Sequence, residues 1–382
     1  MQHDSWLEFI DSHEREMLAL WRELVEIQSP SGYADGVNAV GDKVAQFCTD
    51  TLKYHVTSYP DETYGNCLAA CSCPADEYRD GIAIAAHLDT VHPLDRFSPV
   101  FRSDDEFFYG PGVGDCKGGV VLALFTAAVL NCAGYRSRPV KLLFAADEES
   151  GGPTGRPFYS AELRNTALLL NAESGKRGQI VVGRKSSIIA VYTIRGVSAH
   201  IGYLEGKPKS AIREAACKLL ELEKHSDYNM LTFCCGTIRG GNGPTSVPDV
   251  CRMEVNVRIR DKSVIDKAIS ILNDVASMQF VEGTTTELEI RGNRVPMSET
   301  EENVRLCRQF SAASEALGFG PFEPVFVGGG SDAAYASEQN IPVICATGPV
   351  TDFQHTLRER AVISSLAERT KIHTKLILDS FS

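Results

Sequence analysis

Three short apolar runs, each followed at once by ionisable residues, constrain the fold of this chain more than any other feature. The runs are GIAIAAH at 81–87, PVKLLFAA at 139–146 and ALLLNAE at 167–173. Apolar runs of this length, alternating with helical segments, are typical of strands that are buried on both faces. The sequence therefore predicts an α/β fold with a mostly parallel, mixed sheet that is flanked by helices.

The pattern changes at about residue 186. There, alternating strands and amphipathic helices follow in the order strand–helix–strand–strand–helix–strand, which predicts a compact α+β unit of the ferredoxin-like type. After residue 295 the first pattern returns, and a last helix is expected from about residue 359. We therefore predict a domain inserted at 186–294 within another domain that comprises residues 1–185 and 295–382.

The amino-acid composition of the chain limits the kinds of molecule that it is expected to bind. The 382 residues carry a net charge of -12, which argues against nucleic acid or an anionic membrane as a binding partner. No apolar run of about 18 residues is apparent, so we expect no transmembrane helix. The polar start of the chain lacks the pattern of a signal peptide. Its 12 cysteines are too sparse for a disulfide scaffold, which favours a cytoplasmic location.

Histidine and carboxylate side chains occur in five places, each at a predicted strand end or in the loop after one. In an open α/β sheet, ligands bind at the carboxyl ends of the strands. The candidates are His87 and Asp89 in AAHLDTV, Asp115 in GPGVGDCKGG, Glu148 and Glu149 in DEESGG, Glu173 in LLLNAESG and His355 in DFQHTLRER.

The segment DEE at 147–149 crowds three carboxylates at the end of a buried strand. Repulsion and desolvation disfavour ionised carboxylates there unless their pKa values rise or a cation compensates them. Side chains alternate faces along a strand, so we expect Glu148 and Glu149 to differ in role, with one binding metal and the other beside it. A mixed set of imidazole and carboxylate ligands suits Zn²⁺, with Mn²⁺ or Co²⁺ as substitutes.

These motifs, in this order, resemble the two-zinc exopeptidases and amide hydrolases that include carboxypeptidase G, acetylornithine deacetylase, succinyl-diaminopimelate desuccinylase and aminoacylase. The resemblance extends from LVEIQSPSG to HTLRERAVI, nearly the whole chain. It implies two zinc ions per subunit, and an inserted lid domain that pairs two subunits into a homodimer. The implied ligands are His87, Asp115 and Glu173 for one zinc and Asp115, Glu149 and His355 for the other, with Asp115 shared.

The same resemblance implies the catalytic roles. The reaction would be hydrolysis of an amide bond by a metal-activated water, with Glu148 as general base and Asp89 orienting His87. His200, in RGVSAHIG, matches a histidine that in relatives reaches into the site of the partner subunit and stabilises the developing oxyanion. Considered without the motif, a loop histidine of this kind is more often structural.

Substrate recognition is predicted from three further segments. EIRGNRVP resembles the carboxypeptidase G segment whose Arg binds the substrate carboxylate, which implies Arg291 as the first candidate for that role and Arg294 as the second. A guanidinium can bind a carboxylate bidentately. An exposed lid-strand arginine without that role is an equal alternative. Gly330, in GGGSDAA, matches a family loop near the substrate. Thr245 replaces an Asn that often helps to bind substrate in relatives, so that amide contact would be lost here.

The resulting expectation is a zinc-dependent carboxypeptidase or N-acyl-amino-acid deacylase that acts on a small peptide or N-acyl amino acid. Within the family, Glu rather than Asp at position 173 is associated with carboxypeptidases and acylases. The alternatives are a di- or tripeptide aminopeptidase of the same family and a catalytically inactive binding or regulatory homologue. A structural zinc module on Cys67, Cys71 and Cys73 is disfavoured because the spacing lacks paired CxxC arms.

Overall fold

The computed structural model describes residues 5–381, with only the backbone of residues 292 and 293. The chain divides into two compact units. The larger unit comprises Met1–Gly183, Glu299–Val327 and Ser331–Ser382, and the inserted unit comprises Arg184–Ser298 and Gly328–Gly330.

The helices, in chain order, are α1 (Ser5–Glu26), α2 (Ala34–Phe47), α3 (Gly118–Cys132), α4 (Gly155–Glu162), α5 (Ala211–Lys224), α6 (Ile265–Ser277), α7 (Glu301–Ala316), α8 (Ala333–Glu338) and α9 (Ser364–Ser380). The strands are β1 (His55–Tyr59), β2 (Cys67–Cys71), β3 (Gly81–His87), β4 (Arg102–Ser103), β5 (Phe107–Tyr109), β6 (Val140–Ala145), β7 (Thr166–Asn171), β8 (Gln179–Arg184), β9 (Ser186–Arg195), β10 (Ala199–His200), β11 (Leu231–Gly240), β12 (Ser246–Val247), β13 (Val250–Ile259), β14 (Thr285–Asn293), β15 (Glu323–Val327), β16 (Val343–Ile344), β17 (Thr351–Asp352) and β18 (Arg360–Val362).

The central sheet of the larger unit has the strand order β1-β2-β6-β3-β7-β16. The four strands from β6 to β16 are parallel, and β1 and β2 are antiparallel additions at one edge. The register aligns Ile84 with both Leu142 and Leu170, so the carboxyl ends of β3, β6 and β7 meet at the same edge. The prediction of a mostly parallel α/β sheet is confirmed.

The apolar composition of the strands explains why they form the centre of this unit. Every residue of β3 and β6 is buried. Helix α3 packs on both strands and against α1 and α9, while α4 packs on β6 and α8 on β7. Burial of this kind, at roughly 25 cal/mol per Å² of apolar surface, is the main stabilising contribution to the sheet.

The chain does contain one long apolar stretch of the kind that we expected to be absent. The stretch Val113–Cys132 is long and apolar enough to cross a membrane by length and composition. The search for an apolar run missed it because Asp115 and Lys117 interrupt its first turn. Nearly all of the stretch is buried within the structure, where α3 serves as the core helix behind the sheet.

The inserted unit is built on an antiparallel sheet with the order β11-β13-β9-β14. Together with α5 and α6 this is the ferredoxin-like order of a strand–helix–strand–strand–helix–strand chain. Alternate residues of β13 are buried because one face of the sheet packs on α5 and α6 and the other does not. The unit begins at residue 184 and its main segment ends at residue 298.

The last helix begins at Ser364, not near residue 359 as predicted. Residues 360–362 instead form β18, which pairs with β5 and β17. Ala361 and Val362 are buried in that small sheet. A three-residue strand has too few residues to show a period, so the helical pattern that follows was extended back over it.

A buried histidine in α9 gives a pH test of this fold. Burial, together with the nearby charge of Arg369, lowers the pKa of His373 to about 3. An unfolded histidine has a pKa of about 6.5, so below that pH the unfolded chain binds a proton that the folded chain does not. The free energy of unfolding should therefore be unaffected by this residue above pH 6.5 and should fall as pH decreases toward 3.

As pH decreases below 6, the free energy of unfolding of the wild-type protein should fall more steeply than that of His373→Gln. The difference in slope should be about 1.4 kcal/mol per pH unit. Urea denaturation of both proteins between pH 5 and 8 measures it. His55→Gln, at an exposed position, is the matched control and should follow the wild type. Parallel curves for the wild type and His373→Gln would contradict the assignment.

Candidate metal centre

His87 ends β3 at the carboxyl edge of the sheet and is 1% exposed. Its Nδ1 lies 3.0 Å from the main-chain oxygen of Asp89 and 3.2 Å from Asp89 Oδ1. Its Nε2 faces the opposite way, 3.2 Å from Asp115 Oδ1 and 3.8 Å from Glu173 Oε2. One nitrogen is thus held by the residue predicted to orient the ring, and the other is directed at two predicted ligands.

The acids of DEESGG separate into different environments. The carboxylate of Asp147 accepts hydrogen bonds from Thr154 Oγ1 at 2.7 Å and from the Gly155 N–H at 3.0 Å, at the start of α4. Glu148 and Glu149 begin a 3₁₀ turn, Glu148–Ser150, so they do not lie on the strand that we used to argue their difference. In such a turn successive side chains project about 120° apart, which separates the two carboxylates.

Asp115 stands between the two predicted histidine ligands. Its Oδ1 faces His87 Nε2, and its Oδ2 lies 3.4 Å from His355 Nε2. The same His355 nitrogen is 3.3 Å from Glu149 Oε2. Asp115 therefore offers one oxygen to each side, which is the arrangement that a carboxylate shared by two cations requires.

The side chains form three overlapping groups whose ligand atoms lie within 4.8 Å of one another. These groups are Asp115, Glu149 and His355; His87, Glu148 and Glu149; and His87, Cys116 and Glu173. Burial raises the pKa of the Cys116 thiol to about 12, so this residue stays protonated and is a poor ligand. The structure thus brings all five predicted ligands and Glu148 together.

The electrostatics of the centre call for positive charge. Burial raises the pKa of Glu149 to about 7, with the Asp115 carboxylate adding to the rise and a hydrogen bond with His355 opposing it. Burial likewise raises the pKa of Glu173. Hydrogen bonds to Asp115 and Glu149 raise the pKa of His355 to about 11. Without a cation, protons held by the imidazoles must balance the carboxylates.

A buried oxygen atom of Glu149 provides evidence that a cation fits this centre. Glu149 Oε1 is buried and finds no hydrogen-bond partner among the described residues 5–381. A buried carboxylate oxygen without a partner is costly, and a metal ion would satisfy it. Imidazole and carboxylate donors around it suit a divalent ion such as Zn²⁺ or Mn²⁺.

Sequence analysis missed a buried residue that fixes the loop of Asp115. Glu359 is 1% exposed and its Oε1 accepts the N–H groups of Gly114 at 3.1 Å and Asp115 at 3.2 Å. Its Oε2 accepts from the N–H of Gly112 at 3.2 Å and lies 2.9 Å from His92 Nε2. In the segment DFQHTLRER, which contains Glu359, only His355 was singled out as a candidate.

The predicted residues of the inserted unit fall in two places. His200 pairs with Ser246 across β10 and β12, and the N–H of Ile201 donates to Thr245 O at 3.0 Å, so His200 and Thr245 are neighbours. The His200 ring is exposed and lies beside Tyr203, with a 5.0 Å separation of ring centroids.

The second place holds the arginines. Arg291 makes a bidentate pair with Glu289, with both N···O distances at 2.7 Å, on the same strand. Arg294 instead lies beside Gly330, where a Cβ would come 3.4 Å from Arg294 Cδ. Two predicted substrate residues, Arg294 and Gly330, are thus in contact, whereas Arg291 is engaged by a carboxylate of its own strand.

Comparison with known proteins identifies related hydrolases. The sequence profile of peptidase family M20/M25/M40 matches residues 83–379. Carboxypeptidase G2 of Pseudomonas sp. (strain RS-16) is 25% identical over 365 residues, which is 94% of this chain and 87% of that protein. Succinyl-diaminopimelate desuccinylase of Wolinella succinogenes is 25% identical over 304 residues, which is 73% of this chain and 79% of that protein.

Solved structures show the same fold. A tripeptidase from Staphylococcus aureus superposes with a TM-score of 0.76 at 22% identity, covering 95% of this chain and 97% of that one. The likeness at this identity extends to the fold and not to the substrate.

The contacts of Glu359 predict a metal-binding defect. Glu359→Gln keeps the size of the side chain but replaces one acceptor oxygen with a donor, so the loop of Asp115 loses backbone hydrogen bonds. We expect metal affinity to fall about 10–100-fold, the usual effect of losing a group that orients a ligand. Competition with a chelating dye measures it, and thermal denaturation of the metal-free protein reports folding separately.

Glu338→Gln, at an exposed position in α8, is the control and should bind metal like the wild type. A variant Glu359→Gln that melts earlier but binds metal with unchanged affinity would show that Glu359 only stabilises the fold.

Proposed function

Because this chain belongs to peptidase family M20/M25/M40, we propose that it hydrolyses the amide bond of a small N-acyl amino acid or peptide with a free carboxylate. Family membership, predicted from the motifs, is confirmed by the match over residues 83–379. The chain is accordingly a metal-dependent hydrolase of a family whose sites are typically dinuclear. The choice of substrate, the metal and the residue roles are our proposal.

The observation that carries the proposal is the position of Asp115 between two histidines. His87 and Glu173 would hold one ion, Glu149 and His355 the other, and Asp115 would contribute an oxygen to each. We propose zinc at both positions, with cobalt or manganese as substitutes, because the donors are mixed imidazole and carboxylate.

When bound, the two ions would polarise the amide carbonyl and lower the pKa of a metal-bound water molecule. We propose that Glu148 takes the proton of that water, and the grouping of its carboxylate within 4.8 Å of ligand atoms of both His87 and Glu149 supports this role. The same carboxyl group then delivers the proton to the leaving amine. Asp89 holds Nδ1 of His87 and, through its carboxylate, the N–H groups of Glu148 and Glu149, each at 3.1 Å.

We propose that the substrate carboxylate binds a guanidinium of the inserted unit. The contact between Arg294 and Gly330 supports Arg294 over Arg291, which would first have to leave Glu289. The names of two relatives, a carboxypeptidase and a desuccinylase, support a substrate that bears a carboxylate.

We also propose a homodimer in which His200 assists the metal centre of the partner subunit. The exposure of His200 and its hydrogen bond from the Gly202 N–H to Nδ1, at 3.1 Å, leave Nε2 available to donate to a developing oxyanion. Light scattering of the purified protein would give the subunit number.

Substitution of two adjacent glutamates separates the proposed base from the proposed ligand. Glu148→Gln should lower kcat by about 10²–10⁴-fold, the usual contribution of a general base, and should leave bound metal unchanged. Glu149→Gln removes a ligand charge and should lose metal as well as activity. Steady-state kinetics and metal analysis after dialysis provide both measurements.

Glu16→Gln, exposed in α1, is the control and should match the wild type in both assays. Near-normal turnover by metal-loaded Glu148→Gln would show that this residue is not the base.

A hydrolysis screen tests the proposed function directly. N-acyl amino acids, dipeptides and tripeptides should be incubated with the protein and added Zn²⁺, Mn²⁺ or Co²⁺. We expect cleavage that depends on metal and on a free substrate carboxylate, and that is lost in Arg294→Ala through a higher KM. Cleavage that needs a free amino terminus and no carboxylate would favour an aminopeptidase, and no cleavage at all would favour an inactive homologue.

A further inference from the structure

An open pocket of about 520 Å³ adjoins the metal centre within the larger unit. Its wall is formed by residues 30–33, by Thr90, Val91, Pro93 and Leu94, and by Glu149, the predicted metal ligand. A pocket of 300–1,000 Å³ is the usual size of a small-molecule site. Because Glu149 belongs to both the metal centre and the pocket, a substrate group bound in this pocket would lie next to the amide bond that is cleaved.

The pocket wall exposes large apolar side chains. Tyr33, Val91 and Leu94 are 40%, 40% and 42% exposed, and Pro30 and Pro93 line the same space. Single exposed apolar residues are ordinary, but several around one concave site indicate a surface that an apolar partner covers. A short hydrocarbon chain would bury these side chains without loss of hydrogen bonds.

The pocket is preformed, because its two loops are joined by backbone hydrogen bonds. The N–H of Ser31 donates to Thr90 O at 3.0 Å and the N–H of Thr90 donates to Ser29 O at 2.8 Å. Ser31 Oγ also donates to Asp89, which orients His87. The wall of the pocket and the metal ligands are therefore parts of one hydrogen-bonded structure, and little ordering is required when a ligand binds.

The charges of the residues that line the pocket indicate which part of the substrate it binds. Among the lining residues, all of which the structure describes, Glu149 is the only carboxylic acid and there is no lysine, arginine or histidine. No side chain of the wall would form an ion pair with a substrate carboxylate. The pocket therefore suits the other side of the amide bond, the acyl group, better than it suits the carboxylate.

We propose that this pocket, walled by Tyr33, Val91 and Leu94, binds an uncharged apolar acyl chain and so makes the protein an N-acyl-amino-acid hydrolase with a preference for hydrophobic acyl groups. The proposal rests on the proposed function and specifies its substrate class. It disfavours an alternative that the same reaction would allow, a dicarboxylic acyl group such as succinyl.

An acyl-chain series tests the proposal with the metal-loaded wild-type protein. N-acetyl, N-butyryl, N-hexanoyl, N-octanoyl and N-succinyl derivatives of one amino acid should be compared by kcat/KM. Each buried methylene should raise kcat/KM about threefold to fourfold until the pocket is full. N-succinyl, similar in length to N-butyryl but charged, should be the poorer substrate of that pair.

A substitution in the pocket wall locates the effect. Leu94→Gln should reduce the ratio of kcat/KM for N-octanoyl to that for N-acetyl about tenfold. Leu220→Gln, at an exposed leucine of α5 in the inserted unit, is the matched control and should keep the wild-type ratio. Because Leu94 is partly exposed, the variant should fold, and its melting temperature checks this.

The outcomes separate this proposal from the function on which it rests. Metal-dependent cleavage with no dependence on chain length, or with N-succinyl preferred over N-butyryl, would overturn the pocket assignment and leave the amide hydrolase in place. An unchanged ratio in Leu94→Gln would show that the preference arises elsewhere. No cleavage of any derivative under all three metals would overturn both.

Discussion

The structure depends on one electrostatic constraint: buried carboxylates that converge on two histidines at the end of a parallel sheet. Burial raises the pKa values of Glu149 and Glu173, so the ionised form of each carboxylate is disfavoured without a nearby cation. The fold nevertheless holds both beside Asp115, and one oxygen of Glu149 has no partner among the described residues. Positive charge would stabilise this arrangement, so the centre suits divalent ions.

The same chemistry also fixes the ligands in place. Asp89 and Glu359 are buried carboxylates that bind backbone N–H groups of the loops carrying Glu149 and Asp115. Asp89 accepts two such hydrogen bonds and Glu359 accepts three, and these bonds hold the two loops in place. The site therefore uses two sets of acids, one directed at the centre and another directed at the main chain, and the second determines the geometry of the first.

Much of this was predictable from the sequence because strand ends and ligand types are local features. The apolar runs before His87 and Glu173 place both residues at the same sheet edge by the rules of parallel pairing. The role of Glu359 was not predictable, since its partner Asp115 lies 244 residues away and no local pattern links them. The pocket of Tyr33 and Leu94 was missed for the same reason: its wall combines two loops that are adjacent only in space.

The local geometry of the segment DEE explains how three adjacent acids are accommodated at the end of a strand. Three neighbouring acids would repel one another if their side chains shared a direction. The chain leaves the strand at Asp147, whose carboxylate turns to the start of α4, and enters a 3₁₀ turn that separates Glu148 from Glu149. Because about 120° divides successive side chains in that turn, one glutamate can bind a cation while its neighbour stays available to carry a proton. A regular strand would have directed Glu148 and Glu149 to opposite faces of the sheet, so the turn is what allows both to serve one centre.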